Sequence, residues 1–365
     1  MPLAAPVSMT LNSPSRISLT LLLALAAALA CVWLRTPLPW LIGPLVATAA
    51  ASMRGAPTQS SNLLRNLAQW TIGAALGLYF TPQVAALLAA LWWVILLAVV
   101  WALGLGWAFG AWIHRVEASR LPGTAYEKRA TCYFAGSIGG ASEMTLLAER
   151  AGARTDLVAA SHSLRLLLVT ILVPFAFSFS GVHGIDLSTP GPRVVRWEGL
   201  ALLAIATGAG AWVMARSGRP NPWFIGALLV AIGLTTAGIE LSAFPQWMTN
   251  AAQLVIGVSL GVRFEARFVH TAPRWLLSVL LGTLGMIGLS AGLGVLLAWI
   301  TGMHPATMIL GTAPGGIAEM AITAKVLQLG VPMVTALQVC RLVAVLMLVG
   351  PLFRWSYGRL AGPPG

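Results

Sequence analysis

The chain has 365 residues, of which 58% are hydrophobic and only 9% are charged, whereas soluble domains carry about 25% charged residues. This composition excludes an ordinary soluble enzyme and predicts an integral membrane protein. The net charge of +12 is then no sign of nucleic acid, because basic residues between apolar segments mark the cytoplasmic side of a membrane. We therefore expect the lipid bilayer as a partner and no nucleic acid.

Twelve apolar segments follow one another along the chain, six in each half. They cover residues 17–34, 38–53, 62–80, 83–113, 130–148 and 156–180, and then 198–215, 222–239, 245–262, 275–300, 304–324 and 332–353. A helix that crosses a bilayer needs about 20 residues, so most of these segments are long enough to cross. The sequence predicts an all-α polytopic membrane protein.

The second half of the chain repeats landmarks of the first half in the same order. Pro39 begins the motif Pro-Trp-Leu-Ile-Gly, and Pro222 begins Pro-Trp-Phe-Ile-Gly. Gln69 precedes an Ile-Gly and a Leu-Gly pair, as does Gln253. Such duplication is the usual plan of secondary transporters. We predict a first transmembrane repeat, a linker and a second transmembrane repeat, at residues 1–180, 181–197 and 198–365.

The most unusual landmark is a glycine pair followed three residues later by a glutamate. It reads Ala135-Gly-Ser-Ile-Gly-Gly-Ala-Ser-Glu-Met144 in the first half and Gly311-Thr-Ala-Pro-Gly-Gly-Ile-Ala-Glu-Met320 in the second. Glycine weakens a helix by about 1 kcal/mol, and a carboxylate in hydrocarbon costs several kcal/mol more. We therefore expect a helix break at each copy, where freed N–H groups and a helix N-terminus suit a carboxylate or an anionic substrate.

The positions of lysine and arginine indicate how these two segments lie in the membrane. If all twelve segments cross, the 20 extramembrane basic residues divide 11 to 9, but if 130–148 and 304–324 re-enter, 16 lie on one side. The second division is the positive-inside pattern. It predicts about 10 crossing helices, inverted repeats and both termini in the cytoplasm. If the short segments 38–53 and 222–239 re-enter instead, the 20 basic residues divide 13 to 7. A further alternative is that 130–148 and 304–324 are broken helices that cross.

One glutamate and one arginine lie inside the apolar segments of each half. Glu143 and Glu319 follow the glycine pairs, while Arg165 and Arg341 lie about nine residues into the next segment, near mid-membrane at about 1.5 Å per residue. Intramembrane ionisable groups are functional by default. The glutamates are expected to bind a coupling proton or cation, to pair with the arginines, or to cap their own helix breaks. The arginines are expected to bind a substrate anion or to form structural ion pairs with the glutamates.

We therefore predict a substrate- and ion-binding site at the two breaks. Its residues are Gly139, Gly140, Ser142, Glu143, Arg165, Gly315, Gly316, Glu319 and Arg341. Secondary polar candidates are Ser137, Thr312, His162, Gln338, Gln69 and Gln253. For His162 helix packing is favoured, because the second half has Gln338 at the equivalent position. Packing or helix bonding is also favoured for Gln69 and Gln253.

The sequence lacks the usual signatures of catalysis and cofactor binding. It has no Gly-x-x-x-x-Gly-Lys-Ser/Thr loop for nucleotides, no metal-ligand spacing among its 5 histidines, and no nucleophile elbow. We expect no enzyme activity and no cofactor apart from a coupling H⁺ or Na⁺.

The duplicated Pro-Trp-Leu-Ile-Gly and Gly-Gly-x-x-Glu-Met blocks, with the Arg-Leu helix that follows, resemble the AbrB-duplication family of bacterial membrane proteins. The resemblance covers nearly the whole chain. Members are often labelled ammonia monooxygenase-like or regulators of gene expression. The family is similar to the cation/proton antiporter and anion-transporter superfamily, which implies inverted repeats and crossed discontinuous helices.

The residues and the resemblance together predict a secondary active transporter in the bacterial inner membrane. We expect a small, anionic solute as its substrate, coupled to H⁺ or Na⁺ at the two breaks. A cation/proton antiporter is one alternative, in which the arginines only pair with the glutamates. A membrane-embedded sensor that regulates gene expression through a soluble partner is the other. The sequence leaves open the identity of the substrate and the formation of a homodimer.

Overall fold

The computed structural model describes residues 13–181, 194–218, 221–264 and 273–357. Within these ranges the chain forms helices and no strands, which confirms the all-α fold. Most of the predicted linker at 181–197 lies outside the described residues, as do both ends of the chain.

The described ranges contain eight helices from the first half of the chain and seven from the second. The first eight are α1 (Ser13–Trp33), α2 (Pro39–Met53), α3 (Asn62–Gly77), α4 (Pro82–Ala90), α5 (Trp92–Glu117), α6 (Ala125–Gly136), α7 (Ala141–Arg150) and α8 (Thr155–Phe179). The other seven are α9 (Trp197–Arg216), α10 (Pro222–Thr236), α11 (Gln246–Gly261), α12 (Pro273–Thr301), α13 (Pro305–Thr312), α14 (Ile317–Val326) and α15 (Val331–Tyr357).

Six helices of the described chain are long and apolar enough to cross a membrane: α1, α5, α8, α9, α12 and α15. They make the chain a membrane protein. Helices α3 and α4 are bent by 87° at the break between them. The predicted number of about 10 crossings requires α2, α3, α10 and α11 to cross as well, and these have only 15 or 16 residues. That number stays a prediction.

Helix α3 packs against α10 of the other half through its glycines. A Cβ atom at Gly73 would lie closer than 3.0 Å to the carbonyl oxygen of Phe224, and one at Gly77 would meet the carbonyl oxygen of Leu228 in the same way. Small residues let helix backbones approach this closely. The two contacts advance in the same direction along both helices, so α3 and α10 run parallel.

Helix α11 packs against α2 through the equivalent pair of glycines. A Cβ atom at Gly257 would lie 2.5 Å from the carbonyl oxygen of Leu41, and one at Gly261 would lie 2.8 Å from that of Leu45. Helices α2 and α11 therefore also run parallel. The Ile-Gly and Leu-Gly pairs of each half thus form the contact with the short proline-initiated helix of the other half.

Helices α6 and α7 form a hairpin that packs against α8. The Arg154 N–H donates to Thr131 Oγ at 3.0 Å, and His162 Nε2 lies 2.9 Å from the carbonyl oxygen of Phe134. These contacts advance in the same direction along α6 and α8, so the two helices run parallel. Because α7 connects the end of α6 to the start of α8, it must run back along them.

Helices α13 and α14 repeat this arrangement against α15. The Gly330 N–H donates to Thr307 Oγ at 3.1 Å, and Gln338 Nε2 donates to the carbonyl oxygen of Leu310 at 2.7 Å. Helix α13 therefore runs parallel to α15, and α14 returns. Each hairpin therefore begins and ends at the same end of the long helix that follows it. We call α6–α7 the first hairpin and α13–α14 the second hairpin.

The two hairpins belong to different parts of the apolar core. The second hairpin shares the largest buried cluster with the short helices α2, α3, α10 and α11. The first hairpin packs in a separate cluster with the long helices α5, α8, α12 and α15. Helices of both halves therefore surround each hairpin, the short ones at the second hairpin and the long ones at the first.

Candidate functional site

A cavity of about 460 Å³ lies where the tips of the two hairpins meet. All nine primary residues of the predicted site line it: Gly139, Gly140, Ser142, Glu143, Arg165, Gly315, Gly316, Glu319 and Arg341. The two copies of the motif are 176 residues apart in the sequence. The fold thus brings them together around one space of the size typical of small-molecule sites.

Each glutamate of the site folds back over the second glycine of its motif. A Cβ atom at Gly140 would lie closer than 3.0 Å to the carboxylate of Glu143, and one at Gly316 would meet Glu319 likewise. Both glycines precede the first residue of a helix, with φ of −66° and −81°, which any residue can adopt. Space for the carboxylate, rather than backbone freedom, therefore explains glycine here. The capping role of the glutamates stays a prediction.

The first glycine of each pair makes room for the methionine that ends the motif. A Cβ atom at Gly139 would lie 2.7 Å from the terminal methyl group of Met144. One at Gly315 would lie 3.0 Å from the side chain of Met320. Both methionines are fully buried. The spacing Gly-Gly-x-x-Glu-Met therefore describes one tightly folded helix start, in which each glycine faces one of the last two residues.

Arg165 binds the end of α6 rather than a carboxylate. Its guanidinium donates to the carbonyl oxygens of Gly136 at 3.4 Å and Ser137 at 2.9 Å. It also lies 2.6 Å from His162 Nδ1. A neutral imidazole with its hydrogen on Nε2 satisfies both contacts of His162, because Nε2 then donates to Phe134 and Nδ1 accepts from Arg165. The positive charge compensates the unpaired carbonyls of the helix C-terminus.

Arg341 has the same function in the second hairpin. Its guanidinium donates to the carbonyl oxygens of Ala313 and Gly315. Gln338 reinforces this contact, because its Nε2 donates to Ala313 at 3.1 Å and to Gly311 at 3.2 Å. The Nε atom of Arg341 is buried and has no hydrogen-bond partner within the described chain. Arg341 therefore retains one donor that the protein itself does not use.

The expectation of an ion pair between these arginines and the glutamates is wrong for the described residues. The ion pairs that occur among the described residues are Arg120 with Glu117 and Arg154 with Asp156. The expectation assumed that a buried arginine needs an anion, but the carbonyl oxygens of a broken helix are an equivalent partner. Arg165 and Arg341 thus hold the two breaks in shape.

Most of the secondary candidates lie outside the cavity. Only Gln69 lines it. Ser137 donates to the carbonyl oxygen of Tyr133, and Thr312 donates to that of Ser290. Gln253 is buried away from the cavity. His162 and Gln338 do not line the cavity, but they bind carbonyl oxygens of α6 and α13 and so help to fix the helix ends that form it.

The cavity also contains polar residues that the sequence analysis did not assign to the site. They are Arg65, Asn66, Asn221, Ser259 and Arg263. In the sequence the two arginines read as basic loop residues at the ends of apolar segments. Neither is duplicated, because the repeat aligns Arg65 with a threonine and Arg263 with a tyrosine. Comparison of the two halves could therefore not reveal them. The only signal was their position within one turn of a predicted segment end.

Six charged side chains line the cavity: Arg65, Arg165, Arg263, Arg341, Glu143 and Glu319. Four positive and two negative charges leave a net charge of +2. The N-terminal turns of α7 and α14 also face the cavity, so their unpaired N–H groups add positive potential. This arrangement attracts an anion, and the two carboxylates offer a place for a proton or a cation. Groups of three metal-ligating side chains do not occur among the residues that the structure describes.

The two glutamates differ in exposure. Glu319 is buried, with 7% of its surface exposed, whereas Glu143 is half-buried. Arg263 lies near enough to both carboxylates to attract them, and near enough to Arg65 to be repelled. The cavity is therefore one electrostatic unit to which both halves contribute.

Comparisons with known proteins cover nearly the whole chain. The sequence model of a family described as "Transition state regulatory protein AbrB" matches residues 40–357. A Bacillus subtilis (strain 168) protein named "Uncharacterized protein YhjN" is 26% identical over 347 residues, with 86% of each chain covered. An Escherichia coli (strain K12) protein named "Putative regulator AbrB" is 29% identical over 322 residues, covering 86% of this chain and 88% of the relative.

Proposed function

Because the chain belongs to the AbrB family of membrane proteins, we propose that it is a secondary active transporter of a small anionic solute in the bacterial inner membrane. Solute movement is coupled to H⁺ or Na⁺, and no catalytic reaction takes place. The observation that carries this proposal is the cavity at the meeting point of the two hairpin tips. A positively charged cavity between duplicated, broken helices is the usual form of a transporter site.

We further propose that the two halves are inverted repeats. The cavity is lined by residues from the start of α3 and the end of α11, such as Arg65 and Arg263, which supports an antiparallel arrangement of these two helices. Since α3 runs parallel to α10 and α11 runs parallel to α2, equivalent helices of the two halves then point in opposite directions. The re-entrant course of both hairpins is consistent with an odd number of crossings in each half.

The cavity opens toward the cytoplasm in the proposed topology. It lies at the end of the molecule at which α3 and α10 begin and α11 ends. The adjoining loops belong to the basic side of the chain, which the positive-inside rule assigns to the cytoplasm together with both termini. At the opposite end Leu38 and Phe80 are buried, with 1% and 5% of their surface exposed. This asymmetry supports a state that is open only to the inside.

The carboxylates of Glu143 and Glu319 are proposed to carry the coupling ion. Both lie in the cavity at the start of a half-helix. Protonation or cation binding there changes the charge of the cavity by one unit, which changes its attraction for the anion. Coupling therefore needs no contact other than the electrostatic one between the carboxylates and the solute.

Uptake by proteoliposomes tests the transport proposal. Organic anions that raise the unfolding temperature of the purified protein are offered outside vesicles with an imposed proton or sodium gradient. We expect accumulation that an ionophore abolishes. Glu319→Gln is expected to retain anion binding but to lose the gradient dependence, because a neutral amide cannot titrate. Anion binding without flux in the wild-type protein would overturn the proposal.

The same vesicles separate the two alternatives. Proton flux on addition of Na⁺ or K⁺ without any organic anion indicates a cation/proton antiporter. The names of the family and of the Escherichia coli relative favour a sensor as the second candidate. A sensor binds an anion without transporting it, and its effect on expression depends on the basic segment 114–129, which joins α5 to α6.

A further inference from the structure

Four of the six charged side chains in the cavity are engaged with the ends of broken helices. Arg165 and Arg341 donate to carbonyl oxygens at the ends of α6 and α13. Glu143 and Glu319 fold over the glycines that precede α7 and α14. A helix end carries about half an elementary charge of the opposite sign in each case. The backbone therefore partly compensates these four charges.

Arg65 and Arg263 differ from these four residues. Their backbone N–H groups donate to Ser61 and Leu260, but neither guanidinium group forms a hydrogen bond or an ion pair in the part of the chain that the structure describes. The Nε atom of Arg65 has no access to solvent and no partner there. The two guanidinium groups are also close enough to repel each other. Glu143 and Glu319 attract Arg263 from a distance, but neither forms an ion pair with it among the described residues. Two like charges without a direct partner at one cavity favour the binding of an anion between them.

Arg65 and Arg263 line the cavity from different halves of the chain. Arg65 belongs to the first turn of α3, and Arg263 lies two residues beyond the end of α11. Amide side chains lie beside them on the cavity wall, at Asn66, Gln69 and Asn221. A guanidinium binds a carboxylate through two parallel N–H bonds. A substrate with an anionic group at each end can therefore engage both arginines at once, while the amides bind its remaining polar atoms.

We propose that Arg65 and Arg263 determine the specificity of the site and select a small organic dianion, such as a dicarboxylate. The net charge of +2 in the cavity is neutralised by a dianion, whereas a monoanion leaves one arginine unpaired. Both residues occur where the two halves of the chain differ in sequence. The duplicated residues then build the two breaks, and these two single residues choose the substrate. The inference rests on the proposed binding of an anion but not on its transport.

Binding to the purified full-length protein in detergent tests this inference. The probes are succinate and butyrate, glutarate and valerate, and malonate and propionate, which differ within each pair by one carboxylate. We expect at least one dicarboxylate to bind tenfold or more tightly than its partner at pH 7.5. We call the affinity for a dicarboxylate divided by that for its monocarboxylate partner the affinity ratio. Arg65→Gln and Arg263→Gln are each expected to reduce this affinity ratio about tenfold, while the affinity for the monocarboxylate changes little. Equal affinities in all three wild-type pairs would overturn the inference.

Control variants separate specificity from folding. Arg54→Gln removes the same charge from an exposed position on the same side of the protein, and its ratio is expected to remain that of the wild type. Arg65→Lys and Arg263→Lys keep the charge, so they are expected to retain more of the ratio than the glutamine variants. A full wild-type ratio in both glutamine variants would contradict the assignment. Since no gradient or vesicle is involved, tight dicarboxylate binding without uptake would refute transport and leave the specificity intact.

Discussion

The two hairpins have the same backbone course but support it with different side chains. In the first hairpin, one arginine and one histidine bind the end of α6. In the second, Arg341 and Gln338 bind the end of α13, and both donate to the carbonyl oxygen of Ala313. Duplication thus preserved the arginine and allowed its neighbour to change. The shared requirement is an N–H donor for helix carbonyls, which imidazole and amide both provide.

Burial is the second difference between the hairpins. Glu319 is enclosed by the core that both halves build, whereas Glu143 is half-buried at the cavity surface. The first hairpin has Ser142 exposed in its motif, and the second has the apolar Ala318 at the equivalent position. The motif of the second hairpin is therefore less exposed than that of the first.

The largest expected effect follows from the unequal support of the two breaks. Arg165→Met removes bonds to two carbonyls and leaves both Gly136 and His162 Nδ1 without a partner. In Arg341→Met only the carbonyl of Gly315 loses its partner, because Gln338 still binds Ala313. An orphaned buried polar group costs about 1–3 kcal/mol. The free energy of unfolding, measured by denaturant titration in micelles, should therefore fall about 1–3 kcal/mol further in Arg165→Met than in Arg341→Met.

Arg154→Met is the matched control for this pair of variants. It removes an arginine whose ion pair with Asp156 is about half exposed, and such pairs contribute about 0–1 kcal/mol. Equal losses in Arg165→Met and Arg341→Met would show that Gln338 adds no support to the second break.

The next largest difference concerns the second glycine of each motif. Gly316→Ala brings a Cβ atom onto the carboxylate of Glu319, which is more buried than Glu143 and is therefore less free to turn away. Overpacking of this kind costs about 1–3 kcal/mol. At Gly140 the half-buried Glu143 can turn into the cavity, so Gly140→Ala is expected to cost less than about 1 kcal/mol. Thermal unfolding of the two variants measures the difference.

A double variant shows whether the glutamate causes this cost. If Glu319 occupies the space, Gly316→Ala should be nearly neutral in a Glu319→Ala background. Gly288→Ala is the control, since a Cβ atom at this helical position meets open space and should stabilise by up to about 1 kcal/mol. A cost of Gly316→Ala that persists without the carboxylate would refute the steric explanation of the motif.

The sequence predicts the duplicated part of the site because duplication and buried charge leave clear signals. Gly140, Glu143 and Arg165 were identified from the repeat, together with their counterparts in the second half. The all-α fold and the breaks follow from composition and glycine in the same way. The cost of placing charge in an apolar segment is large enough to be visible in a single sequence.

The partners of these residues and the unduplicated arginines could not be predicted. Carbonyl oxygens are present at every residue, so the sequence does not show that Arg165 binds Ser137 rather than a glutamate. Arg65 and Arg263 lie at helix ends, where a topology signal and a binding residue have the same composition. Only the packing of α3 against α11 brings these two side chains to one cavity.

The smallest expected effect tests whether the two hairpins have interchangeable supports. His162→Gln replaces the imidazole by the residue that the second hairpin has at this position, so the carbonyl of Phe134 keeps an N–H donor. We expect a loss of less than about 1 kcal/mol. His162→Leu leaves the carbonyl of Phe134 without its donor and removes one of the three acceptors of Arg165, which is expected to cost about 1–3 kcal/mol. Unfolding in micelles measures both variants. Equal losses would mean that the first hairpin needs the imidazole itself, and that its histidine has a role which the glutamine of the second hairpin does not share.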